Sequence, residues 1–242
     1  MKETILQVFK QILALAAVGA IYVCVRRWDT LELIRSVSFI ASSFSPVFVA
    51  ILERHIWQFF FALIGLTVLS RGNLWSCGIN SMNVRRSLLY LLGFYAVGTV
   101  TLAVFAASSV FMSVRYDLFP IADRLLVMTI HWLSSPVADQ ILFFGLFQTA
   151  LLKAWDDKIK IFSEEIPSVI LLTAMMFALG RTGLPHYASM NFEYVAGYGV
   201  GLFSGVVYYK TRSLLTPMLA QAFFFGMPDA IHIIAATIGH RL

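Results

Sequence analysis

Charge is scarce in this sequence. Asp, Glu, Lys and Arg together make up 13% of its 242 residues, about half of the roughly 25% carried by an ordinary soluble domain. So little charge cannot clothe a water-exposed surface around this much apolar chain, and a soluble globular protein is excluded. Cysteine is scarcer still. Of the two, Cys24 falls in an apolar run and Cys77 in an expected loop, which leaves neither a disulfide framework nor a metal-ligand spacing. With seven prolines and no Gly/Ser-rich or Pro-rich tract, no linker divides the chain, and no internal repeat stands out. One integral-membrane domain over 1–242 is expected. There is no phosphate-binding glycine loop, no dinucleotide fingerprint and no Ser-His-Asp arrangement with credible placement, which removes the common nucleotide-dependent and serine-nucleophile chemistries.

What is present is hydrophobic: 59% of residues. Apolar runs long enough for helices that cross a bilayer, about 20 residues each, are expected near 5–25, 37–52, 56–70, 87–111, 125–153, 167–184, 193–210 and 213–236. The fold class is therefore all-α, a polytopic transmembrane bundle of about eight spans. Glu53-Arg54-His55 reads as a tight external turn or an interfacial break. The first run is expected to stay attached, because Arg26-Arg27 follows it where a signal peptide would need small residues. The net charge of +5 is no nucleic-acid footprint. The basic residues sit in short groups between spans (Arg26 and Arg27; Arg85 and Arg86; Lys153, Lys158 and Lys160; Lys210 and Arg212), as the positive-inside rule requires if 26–36, 71–86, 153–166 and 210–212 all face the cytoplasm. Trp28, Trp75, Trp132 and Trp155 fall near span ends, as an interfacial belt does. Gly197, Gly201 and Gly205 recur every four residues, a stripe suited to close helix packing.

Within the fifth run, Asp139 and Gln140 stand side by side, with Pro136 offering a kink one turn earlier. A carboxylate at bilayer depth costs roughly 2.5–3.5 kcal/mol on insertion scales, so it marks a functional position with a partner to be found. Glu164-Glu165 ahead of Pro167 is the rival acidic pair. Its expected role is to cap the following helix. His131, two turns before Asp139, reads as a hydrogen-bonded core histidine or a displaced metal ligand. His186 with Asn191 belongs to an external loop, and His55, His232 and His240 lie near span ends.

Three segments resemble the CPBP family, the intramembrane metalloproteases that include CAAX prenyl endopeptidases and bacteriocin-processing (Abi) proteins. The family's Glu-Glu-x-x-x-Arg frame is matched by Asp139-Gln140-Ile141-Leu142-Phe143-Phe144-Gly145-Leu146-Phe147-Gln148, with Phe144 at the Arg position. Its Phe-x-x-x-His frame is matched by Phe177 to Arg181, and its His-x-x-x-Asn frame by Gln221 to Phe225. The resemblance covers approximately 75–226. It implies a helical membrane protease fold whose catalytic and metal-binding positions are here degenerate: Asp139, Gln140, Phe144, Arg181, Gln221 and Phe225. A guanidinium has no lone pair to give a metal, so a structural ion pair between Asp139 and Arg181 is expected in place of zinc, with Gln140 or Gln221 adding hydrogen bonds.

The resemblance thus points to a pseudoprotease with no cofactor, a scaffold in the bacterial inner membrane. Its partners would be the bilayer and another membrane or periplasmic protein, with no nucleic acid. Two alternatives remain: an active metal-dependent endopeptidase using zinc at displaced ligands such as Asp139 and His131, and a transporter relaying charge through Asp139 and Arg181.

Overall fold

In the computed structural model, residues 2–28, 46–80, 83–107, 121–161, 163–182 and 192–239 are described, and some side chains within them, those of His131 and Arg181 included, lie outside the description. Seven long helical stretches result: α1 (Lys2–Trp28), α2 (Pro46–Leu69), α3 (Val84–Ala107), α4 (Ile121–Gln140) with its continuation, α6 (Val169–Thr182), α7 (Phe192–Thr211) and α8 (Leu215–Gly239). The continuation of α4 is a π-helical segment, Ile141–Gln148, followed by α5 (Thr149–Ala154). Stretches 6–23, 52–69 and 132–154 are long and apolar enough to cross a membrane, and the helices at 169–180 and 215–227 are shorter but apolar. The protein is an integral-membrane helical bundle.

α2 runs unbroken through Glu53-Arg54-His55, which is therefore neither a turn nor a break. An α-helix satisfies its own backbone, so polar side chains interrupt nothing if they find partners inside the bundle. The described part of the expected 37–52 span and all but the last residue of the 56–70 span belong to this one helix. That changes the crossing parity. Gln7 Nε2 donates to the carbonyl of Ala154 at 2.8 Å and Lys153 Nζ to the carbonyl of Leu69 at 2.9 Å. The start of α1, the end of α2 and the end of α5 thus share one face of the bundle. α1 is 27 residues long, about 40 Å, so Arg26-Arg27 lie toward the opposite face, not beside 71–86 and 153–166 as one-sided positive charge would have them. The other basic groups stay together.

That basic face is tied down by side chains that satisfy exposed helix ends. α2 closes with Arg71 in the left-handed region at φ 54° and with the pair Gly72 N–H to Thr67 O, 2.8 Å, and Arg71 N–H to Val68 O, 3.3 Å, a Schellman ending. A 3-10 turn (Leu74–Cys77) follows and stops at Gly78, φ 90°. A Cβ there would stand 2.5 Å from the Tyr208 ring, so only glycine lets the loop lie on α7. Asn80 and Asn83 then donate to the carbonyls of Arg212 (2.9 Å) and Thr211 (3.0 Å), which fastens this loop to the α7–α8 junction.

Between α5 and α6 the chain forms a short hairpin, β1 (Lys158–Ile161) antiparallel to β2 (Glu164–Pro167), with Lys160 opposite Glu165. Glu164 and Glu165 are therefore strand residues and not a helix cap. Glu164 instead reaches α7, where Lys210 Nζ meets its Oε2 at 2.8 Å. The helix begins two residues past Pro167, at Val169.

The core centres on the π-helical segment, all eight of whose residues are buried. A π turn widens the helix and re-aims side chains, and here it presents Phe143, Phe144 and Phe147 to the bundle interior. The glycine stripe does what its spacing promised. A Cβ on Gly201 would lie 3.0 Å from Ala174 Cα, one on Gly197 3.4 Å from Ala178 Cα, and one on Gly205 2.8 Å from Ile170. α6 and α7 therefore pack backbone to backbone.

Candidate functional site: an amide-bound aspartate between three helices

Asp139 sits on α4 between α2 and α8, with 6% of its surface exposed. Its Oδ1 accepts from Gln58 Nε2 on α2 at 2.7 Å. Its Oδ2 accepts from Gln221 Nε2 on α8 at 2.7 Å and from Ser135 Oγ, one turn back on its own face, at 3.1 Å. Gln221 in turn accepts through Oε1 from Gln140 Nε2 at 2.6 Å. Gln58, Ser135, Gln140 and Gln221 are all buried. A carboxyl group taken out of water must recover its hydrogen bonds from protein, and charge-assisted bonds of this kind are worth roughly 1.5–3 kcal/mol each. The chain of donors also fixes the amide of Gln221: reversed, it would turn an oxygen toward Asp139.

The residues flanking this network extend it along α2. His55 Nδ1 and Ser134 Oγ are 2.8 Å apart, and Glu53 is 2% exposed. Arg54 Nη2 donates to the carbonyl of Gly180 at 3.3 Å. Glu53 precedes Leu69, and Asp139 precedes Ala154, by fifteen or sixteen residues, roughly 20 Å below the basic face, so these groups share one depth. Gln58, Ser135 and the Glu53–His55 triplet are site residues that the sequence reading missed. The available signal was length: taken as a single helix, 46–69 is the size of one span, and its polar residues then fall at mid-depth.

Of the remaining family positions, Phe144 and Phe225 are apolar. Phe144, at the Arg position of the first frame, is fully buried, and its ring centroid lies 5.6 Å from that of Phe177, which also meets Phe143 edge-on at 5.6 Å. Phe225, one turn beyond Gln221, stacks edge-on against Phe224 at 5.5 Å. Arg181 lies in the last turn of α6, and its side chain is outside the described residues, as is that of His131. The proposed Asp139–Arg181 contact and the Asp139–His131 ligand pair therefore fall beyond what is described.

A catalytic zinc needs about three protein ligands with lone pairs and a position left open for water. Among the described residues, no three His, Cys, Asp or Glu side chains come together. At the site itself, Asp139 Oδ1 and Oδ2 each accept from an amide N–H, a donor without a lone pair to offer. The described donor set does not fit a divalent metal.

The fold and this site define an integral-membrane helical bundle with a buried carboxylate held by amide and hydroxyl donors from three helices. Residues 121–227 match the family model described as type II CAAX prenyl endopeptidase Rce1-like, and through this region, which holds α4 to α7 and the start of α8, the chain is similar to that family. No curated protein and no solved structure matches it.

Proposed function

We propose that this chain is a catalytically inactive member of that family that serves as a scaffold or partner subunit of a membrane complex, in a bacterial inner membrane. The observation that carries this reading is the direction of the Gln221 amide. Where the family resemblance calls for a histidine lone pair, Gln221 places an N–H on Asp139 and spends its oxygen on Gln140. The N–H has no lone pair, and an amide oxygen is too weakly basic to take a proton from water as a histidine would. The aromatic packing of Phe144 against Phe177 supports the same conclusion, since a buried cation has been exchanged for ring contacts that hold the fold without chemistry.

The proposal includes Arg181 as the cation facing Asp139. It is supported by the way α6 enters the site one residue earlier, where Gly180 lies under the Phe143 ring, a built Cβ meeting Phe143 Cζ at 2.5 Å, and accepts from Arg54. A double-mutant cycle with Asp139→Asn and Arg181→Gln tests the pair: non-additive losses of folded yield are expected, and strictly additive ones argue against contact.

Purification in a gentle detergent, with identification of co-eluting proteins, zinc analysis and a chelator-controlled assay on prenylated and unprenylated peptides, tests the function. A stoichiometric membrane or periplasmic companion with no cleavage is the expected result. Chelator-sensitive peptide cleavage, or about one zinc per chain lost on Asp139→Ala, overturns it.

A further inference from the structure

A groove of about 670 Å³ runs along the lipid-side junction of α3, α7 and α8, and among its lining residues are Tyr90, Gly93, Phe94, Gly199, Phe203 and Phe224. Its volume falls among cavities that bury small ligands, roughly 300–1,000 Å³. The floor is open because of two glycines: a Cβ on Gly93 or on Gly199 would meet nothing within 4 Å. The walls are closed by Phe94 stacked on Phe203, ring centroids 4.3 Å apart.

One end of this groove is strongly basic. Tyr90 lines it, and the Arg86 guanidinium lies 5.8 Å from the Tyr90 ring centroid. Arg85 and Arg86 are both exposed. α3 and α7 run antiparallel, so Lys210 and Arg212, which follow Phe203, reach the same face as the Asn83–Thr211 bond. One acid that answers them there is Glu164, bound to Lys210 and close enough to Arg86 for that charge, too, to lower its pKa.

The length of the groove decides what it holds. Along α3 the lining runs from Leu89 to Gly98, about 14 Å at 1.5 Å per residue, or half of a hydrocarbon core about 30 Å thick. A partner's transmembrane helix would need the full depth, whereas a lipid tail in one leaflet needs half. We infer that this groove is a binding site for an anionic phospholipid of the leaflet at the basic face, its tail against Gly93 and Gly199 and its phosphate held by Arg85 and Arg86.

The test is native mass spectrometry of the full chain in mild detergent, with phosphatidylglycerol and phosphatidylcholine of identical tails added in turn. The wild-type protein is expected to retain phosphatidylglycerol preferentially. Replacing Arg85 and Arg86 by Ala is expected to weaken that lipid by about fivefold for each arginine lost while leaving phosphatidylcholine unchanged. The pair Gly93→Leu with Gly199→Leu is expected to abolish retention of both lipids, and a melting curve like the wild type's shows that the filled groove still folds; should it misfold, the arginine variant decides. Equal retention of the two lipids by the wild type overturns the site. So does phosphatidylglycerol retention that survives the arginine changes, or, in a folded glycine variant, loss of a co-eluting membrane protein with lipid retention intact. None of these readouts depends on whether the chain cleaves peptides.

Discussion

Gln221 on α8 donates to Asp139 on α4 across 2.7 Å, and this bond joins the first and third family frames, 82 residues apart, with an amide N–H where the family resemblance calls for a histidine. Its energetic share is open to measurement. In a cycle of Asp139→Leu and Gln221→Leu, each single change strands a buried donor or acceptor. The coupling expected is about 0.6–1.7 kcal/mol, the range found for hydrogen bonds inside membrane bundles, read from denaturant-dependent unfolding in mixed micelles. A coupling near zero would mean the two groups do not depend on each other.

Restoring the family's arginine should be harmful. Phe144→Arg puts a guanidinium into a fully buried position ringed by Phe177, Gly205 and neighbours. An uncompensated buried charge costs about 3–5 kcal/mol in soluble cores. Folded yield by size-exclusion chromatography is expected to fall sharply, whereas Phe144→Leu loses only packing and stays folded.

Glycine position should matter more than glycine number. Gly201→Ala pushes a methyl to 3.0 Å from the Ala174 backbone, and overpacking of this kind costs roughly 1–3 kcal/mol. Gly199→Ala, two residues away, meets open space and should leave thermal stability within about 0.5 kcal/mol of the wild type. Equal melting shifts for the two would refute the close α6–α7 approach.

The Glu164–Lys210 contact predicts a pH dependence with a definite sign. The hydrogen bond and charge of Lys210 hold the Glu164 carboxyl below the usual carboxylate range. A group whose folded pKa is depressed contributes stability above its unfolded pKa and loses it as pH falls through the folded value. Wild type and Glu164→Gln should therefore differ in melting temperature at neutral pH and converge in acid, by a small amount because Glu164 is exposed to solvent. A gap that widens on acidification would contradict the assignment.

The sequence by itself determined that this is a membrane-spanning helical bundle, because scarce charge and long apolar runs admit little else, and it determined that α7 carries a close-packing face, because glycines four residues apart must share a face; that α6 is what packs there came from the structure. It also set out the degenerate frames at Asp139, Phe144, Phe177 and Gln221 in order. Only the tertiary structure decided that Glu53-Arg54-His55 lies inside one helix, since local polarity looks the same at a turn and in a buried cluster, and that Arg26-Arg27 consequently fall away from the other basic groups. The hairpin at Glu164–Glu165 was hidden for a similar reason: acids before a proline suit a helix start and a strand end alike, and cross-strand pairing is a non-local choice. Above all, the partners of Asp139 came from α2 and α8, 81 and 82 residues away. Contacts that distant are set by how helices pack, which no spacing along the chain encodes.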